Sequence, residues 1–225
     1  AEKNLQNARA LFESHLNAVF TQRGEEDIVK SVHEVVESIS TGPFGSLLHK
    51  ADYEQGGIPL VNPVNIVGDK IVADPRKTVG KLTARRLSRY SLREHDIVIG
   101  RRGEIGRCAV VKREHDGWLC GTGSFFIRPS GLTNSDYLAH LLRSQYYRRQ
   151  LERLSGRATM PSISNSDLAN LVVRVPPLER QKQRLRCLEC LSNETQRLAS
   201  IYRRKLTAFD ELKKSLLNRA FSGQL

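Results

Sequence analysis

Apolar residues near the start of the chain recur every three or four positions: Leu5, Ala8, Leu11, Phe12, Leu16, Val19 and Phe20. That spacing predicts an amphipathic helix over residues 1 to about 22, closed by Gly24 and the pair Glu25-Glu26. From about residue 27 to 176 the period changes. Short β-rich runs stand at Ile58–Val61, Lys70–Ala73, Asp96–Ile99, Cys108–Lys112, Trp118–Cys120, Ser124–Arg128 and Leu171–Val175, with glycines between them. A helix is expected from a cap at Ser135-Asp136 through Leu138, Leu141, Leu142, Tyr146 and Leu154 to Gly156. Shorter helices are expected around Thr83–Tyr90 and after Ser164, with Arg85 and Arg89 sharing a face of the first. The middle of the chain thus reads as an α+β globule with a strand majority.

Pro176-Pro177 stops the last strand, and Pro177 suits a first helical position. One long helix follows to about residue 221. Leu185, Leu188, Leu191, Thr195, Leu198, Tyr202, Leu206, Phe209, Leu212 and Leu216 form a narrow stripe with charges on both flanks, as in a coiled-coil seam. A rod of about 45 residues and roughly 65 Å cannot bury that seam on a small globule, so a partner helix is expected. The two ends also resemble each other. Laying Leu5 on Leu206 brings Leu11 onto Leu212, Ser14 onto Ser215, Leu16 onto Leu217, Asn17 onto Asn218 and Phe20 onto Phe221. The chain then spans one period of a larger repeat.

Charge narrows the partner. Thirty-six lysines and arginines stand against 24 acids, for a formal charge of +12 and a pI of about 9.9. Such an excess favours an acidic polymer, because each phosphate contact releases counterions. No run is long and apolar enough to suggest a membrane span, and no signal peptide opens the chain. Four cysteines, Cys108, Cys120, Cys187 and Cys190, suit a reducing cytoplasm better than a disulfide framework.

The motifs of DNA chemistry are missing. Asn62-Pro63-Val64-Asn65 lacks the second proline and aromatic residue of a methyltransferase motif. Gly121-Thr122-Gly123 begins like a nucleotide loop, but Phe126 stands where a third glycine belongs, and no Gly-Lys-Ser/Thr loop is present. His33-Glu34-Val35-Val36-Glu37 has a glutamate in place of a zinc protease's second histidine and reads as a solvated turn of helix. Cys187-Leu188-Glu189-Cys190 is a lone pair on the long helix, without a second pair for zinc. Asp74-Pro75-Arg76-Lys77 and Glu211-Leu212-Lys213 are scraps of a nuclease pattern in different zones. The expectation is a non-catalytic chain with no cofactor and no metal.

Several stretches then fall into a familiar order. Thr41-Gly42-Pro43-Phe44-Gly45-Ser46 precedes Gly57-Ile58-Pro59-Leu60-Val61-Asn62, then Asp96-Ile97-Val98-Ile99-Gly100-Arg101-Arg102-Gly103-Glu104-Ile105-Gly106-Arg107. Ala158-Thr159-Met160-Pro161-Ser162-Ile163-Ser164 and Leu171-Val172-Val173-Arg174-Val175-Pro176-Pro177-Leu178-Glu179-Arg180-Gln181 follow, and Leu216-Leu217-Asn218-Arg219-Ala220-Phe221-Ser222-Gly223 closes the series. Together they resemble one target recognition domain and the conserved helices of a type I restriction-modification specificity subunit. The resemblance implies a strand-rich recognition globule at 27–176, a conserved helical segment at 1–26 and a conserved helix at 177–225 for spacing, dimerisation and partner docking. It implies a sequence-specific DNA-binding subunit that directs methyltransferase and restriction subunits to a bipartite target. The family's full subunit carries two such domains. This chain holds one, so it is a half subunit or an excised half, and a homodimer would restore the whole.

Within the globule the expected DNA contacts are Arg76, Lys77 and Lys81, then Arg85, Arg86 and Arg89, then Arg101, Arg102 and Arg107 about the glycine hairpin, with Lys50, Asn62 and Asn65 as weaker candidates. The Arg148-Arg149 pair, Arg153 and the rod cations read as solvation or docking surface. The competing reading is a coiled-coil scaffold or adaptor whose globule binds protein.

Overall fold

The computed structural model describes residues 2–21, 24–156 and 161–222; Ala158-Thr159-Met160 and Gly223 of the quoted motifs lie outside the described residues. The chain divides into two units, one of residues 1–22 with 183–225 and one of residues 23–182. In the second unit the order is β1 (Ile28–Ser31), a helical turn (Val32–Val35), β2 (Val36–Thr41), β3 (Tyr53–Val61), β4 (Ile66–Val67), β5 (Lys70–Ile71) and β6 (Thr78–Val79). There follow α1 (Lys81–Arg86), β7 (Ile97–Gly100), β8 (Cys108–Val110), β9 (Leu119–Cys120), β10 (Ser124–Pro129), α2 (Ser135–Arg143), α3 (Gln145–Leu154), α4 (Asn165–Ala169) and β11 (Val172–Val175).

A four-stranded antiparallel sheet, β2-β10-β7-β8, forms the centre. Its middle strands are buried on both faces, which is why Ile97-Val98-Ile99 reads as a continuous apolar run and not as an alternation. Val98, Ala109 and Phe126 face a core completed by Val61, Ile66 and Leu92. Ile99 and its partner Cys108 face the other way, where the Cys108 thiol reaches the Ala139 carbonyl of α2 at 3.5 Å. Burial there pushes the Cys108 thiol up to about 11. A second sheet, β6-β3-β9, pairs β3 parallel to β9 over a smaller core of Leu60, Val79, Leu87, Tyr90 and Leu119. The ladder Ile28↔Val175 to Ser31↔Val172 joins the first and last strands of this unit.

The fold is the expected α+β class, with corrections at several elements. The helix expected from Ser135 to Leu154 is two helices. Ser144 leaves helical geometry at ψ 147°, and its buried hydroxyl donates to the Leu141 carbonyl at 2.7 Å. The cap of α2 is Asn134, whose side chain accepts from Tyr137 N at 3.1 Å, and not Ser135. Arg85 and Arg89 do not share one helical face, because α1 ends at Arg86 and Arg89 sits in a separate 3-10 turn, Ser88–Tyr90. The turn at His33-Glu34 is helical with both side chains exposed, as expected, but it is a single turn: Val32 and Val35 are fully buried and the chain becomes strand at Val36.

The other unit contains two helices, Glu2–Thr21 and the continuation of Leu178–Phe221, the 44-residue helix expected from the sequence. Along the expected seam Leu188 is buried and Leu185, Tyr202 and Leu206 are half-buried, whereas Leu198, Phe209, Leu212 and Leu216 are exposed. No described helix is long and apolar enough to cross a membrane.

Acid sensitivity follows from α2. Burial, reinforced by Arg143 and opposed by Asp136 and Asp69, pushes the His140 imidazole down to about 4. The unfolded chain binds this proton near pH 6.5 and the folded chain only near 4, so the contribution is complete above pH 6.5 and is lost as the pH falls toward 4. Urea melts should show His140→Gln losing less stability than the parent over that window, by up to about 3 kcal/mol. Parallel curves for the two proteins would refute the assignment.

Candidate nucleic-acid interface

The strand ends gather two groups of cations at opposite ends of β3. At its start, Tyr53 pairs with Val79 of β6, which leads into α1. This register brings Lys50, Lys77, Lys81 and Arg86 to one region. Arg86 donates to Asp52 Oδ1 at 2.6 Å and to the Leu47 carbonyl at 2.9 Å, so it clamps the 47–52 segment to α1. That contact and the His49 amide hold the Asp52 carboxyl below its usual range, the amide having the larger effect. Lys77 lies over the Tyr53 ring at 5.0 Å and Arg89 over Tyr90 at 5.2 Å. Arg76 is paired with Asp74 at 3.1 Å yet stays largely exposed.

At the end of β3, Asn62 meets the turns that close the central sheet. Its side-chain oxygen accepts from Gly123 N at 3.5 Å, and Arg107 reaches the Pro63 carbonyl at 3.5 Å while pairing with Glu104. Arg101 donates its backbone N–H to the Gly123 carbonyl at 3.0 Å, and its guanidinium covers the Phe125 ring at 5.3 Å. Burial, with Arg102 beside it, holds that guanidinium below its ordinary value. Gly103 and Gly106 take φ of 75° and 81°, as the tight connection between β7 and β8 requires. The Thr41-Phe44 loop joins the same end: Gly42 N donates to the Ser124 carbonyl at 3.0 Å, and Phe44 beyond it is exposed.

The expected contacts therefore differ in freedom. Lys50, Lys81, Arg85 and Arg102 are exposed and make no ion pair among the described residues. Arg76, Arg86 and Arg107 are engaged by acids, and Asn62 by a turn. Asn65, weighed as a weaker candidate, is buried and bonds the Asn62 amide and the Val72 carbonyl, so it shapes a loop.

Three internal contacts escape sequence reasoning. Asp96, 1% exposed, receives Arg128 at 3.0 and 2.8 Å and the Arg93 amide at 2.9 Å. Gln181 is fully buried; its amide nitrogen donates to the Leu132 and Pro176 carbonyls at 2.8 Å, and its oxygen accepts from Asn134 N at 2.8 Å. Tyr147 accepts the outward amide of Arg174 on β11 at 3.1 Å. An acid directly before an apolar strand, and a glutamine four residues past Pro177, are the faint signals available. Among the described residues no cluster of His, Cys, Asp or Glu is placed to hold a metal.

The family described as type I restriction modification DNA specificity domain matches residues 28–203. The Escherichia coli K12 type I restriction enzyme EcoKI specificity subunit is 25% identical over 182 residues, covering 78% of this chain and 37% of that protein. An HsdS subunit from Thermoanaerobacter tengcongensis superposes with a TM-score of 0.70 at 20% identity, over 100% of this chain and 53% of that one. A type I restriction-modification structure described for its complex assembly and conformational transition gives 0.71 at 22% identity, over 100% and 54%. The chain spans about half the length of these solved structures and less than half that of the curated relatives.

Proposed function

This chain belongs to the family of type I restriction-modification DNA specificity domains, and we propose from that premise that its globule reads one half of a two-part DNA site. Residues 27–176 bind duplex DNA sequence-specifically. The helices at 1–26 and 177–225 set the distance to the other half-site and dock methyltransferase and restriction subunits. The chain itself is non-catalytic and works in the cytoplasm. Its exposed seam residues Leu198, Phe209, Leu212 and Leu216 suit pairing with a second copy, which would make the reader two-fold symmetric and its target palindromic.

The observation that carries this reading is the set of exposed cations without acidic partners among the described residues, Lys50, Lys81, Arg85 and Arg102, set among the family motifs. Exposed cations with no acid to give up are free to meet phosphates, and each contact that forms releases counterions. Binding of labelled random duplex between about 50 and 200 mM salt tests it. The triple variant Lys81→Ala, Arg85→Ala, Arg102→Ala should flatten the slope of log affinity against log salt by about 2 to 3, near 0.9 per lost contact. Affinity of the parent that ignores salt would end the DNA reading. Methyl transfer by this chain alone would overturn the non-catalytic one.

A further inference from the structure

We infer that Arg101 reads a base edge, with guanine O6 and N7 the acceptors its fork fits; this rests on the DNA-binding function proposed above. Arg101 is held at both its backbone and its side chain. Its N–H is tied to the Gly123 carbonyl at 3.0 Å, and its carbonyl accepts from Ile163 N at 3.1 Å. Its guanidinium lies 5.3 Å from the centre of the Phe125 ring. That ring is fully buried, and Phe125 is fixed between Thr41 of β2 and Ile99 of β7. Backbone and side chain are thus both positioned.

What the side chain lacks is an acceptor. Its Nε is buried without a hydrogen-bond partner, and the terminal nitrogens make no hydrogen bond or ion pair among the described residues. Two other arginines of the central sheet and its hairpin are answered: Arg107 by Glu104 and Arg128 by Asp96. A planar donor held over an aromatic ring and left unmatched fits an acceptor pair that arrives with a ligand. DNA offers two such pairs, phosphate oxygens and the guanine edge. Phosphates are met adequately by exposed, flexible cations such as Lys81, Arg85 and Arg102. A base contact needs a fork held in place, and the tied backbone with the Phe125 ring beneath the guanidinium restricts this one.

The test starts with the full chain and a randomised duplex library, from which the parent selects its motif. Each position of that motif is then varied singly and binding is measured for the parent, Arg101→Lys and Arg101→Met. Lysine keeps the charge but loses the fork; methionine keeps apolar cover over Phe125. Both variants should lose discrimination at one guanine by roughly tenfold or more, with the salt slope on random duplex unchanged for Arg101→Lys. Arg102→Ala should do the reverse, lowering the slope by about one while leaving the selected motif intact. Uniform weakening on all duplexes by Arg101→Lys would make Arg101 a phosphate contact and overturn the proposal. So would full discrimination with only a lowered melting midpoint, which would make Arg101 a cover for Phe125. A parent that shows no salt-dependent binding fails the DNA function itself, and does so before any variant is measured.

Discussion

Gly42→Ala should destabilise the globule by about 3 kcal/mol, at the upper end for overpacking. A Cβ at this position would stand 2.0 Å from the Gly121 carbonyl oxygen and 2.5 Å from its carbon. Both are backbone atoms, so no side chain can swing away. Gly121 in turn is pressed against the Asn62 side chain, and its amide donates to the Val61 carbonyl at 2.9 Å. Relief must therefore come from parting β2 from the turn before β10, which breaks the Gly42 N–H bond to Ser124. Gly45 is the control. It has φ of 62° but nothing within 4 Å of the point where a methyl would stand, so alanine there meets only the left-handed backbone cost of about 1 to 2 kcal/mol. Urea unfolding of both variants against the parent checks the order. Equal losses would show that the loop owes its shape to backbone conformation alone, and that the close approach of two main chains is unimportant.

These glycines also mark what is legible in the sequence. The motif Thr41-Gly42-Pro43-Phe44-Gly45 announces a tight loop, but it does not reveal that Gly42 serves space and Gly45 serves conformation. Strands built on continuous apolar runs, such as Ile97–Ile99 and Phe125–Ile127, are readable because burial on both faces demands apolar residues along the run. β1 and β2 are not readable. Ile28 and Val29 are exposed, and four of the six residues of Val36–Thr41 are polar, so these segments become strands only through partners β11 and β10, distant in sequence. The break at Ser144 is hidden because large apolar and aromatic residues, Leu141, Leu142, Tyr146 and Tyr147, continue at helical spacing across it. Of the expected DNA contacts, position along the chain locates the loops that carry the free cations. It cannot separate Arg86, spent on Asp52, from its neighbour Arg85, which makes no ion pair among the described residues, because that distinction depends on a partner 34 positions away. Basic composition marks the candidate cations; only tertiary pairing tells which of them are free.

The same logic makes Asp96 the most consequential acid of the globule. It stands at the start of β7, while Arg128 lies near the end of β10, antiparallel to it. The pair therefore closes the end of the sheet opposite the Gly42, Asn62 and Arg101 turns. Asp96→Ala should cost about 3 to 5 kcal/mol, because it strands a guanidinium whose side chain is only 19% exposed and leaves the Arg93 amide without its acceptor. Asp96→Asn keeps the shape and one acceptor, and should lose less. Adding Arg128→Met to Asp96→Ala removes the stranded charge, so the double variant should be more stable than Asp96→Ala alone, a coupling that a double-mutant cycle measures directly. If the double variant instead loses the sum of the two single effects, the pair is not coupled. DNA binding supplies a second readout. Under conditions where Asp96→Asn remains folded, its salt slope on random duplex should match the parent's, because this end of the sheet carries none of the proposed phosphate contacts. A changed slope would place the reading surface at the wrong end of the molecule.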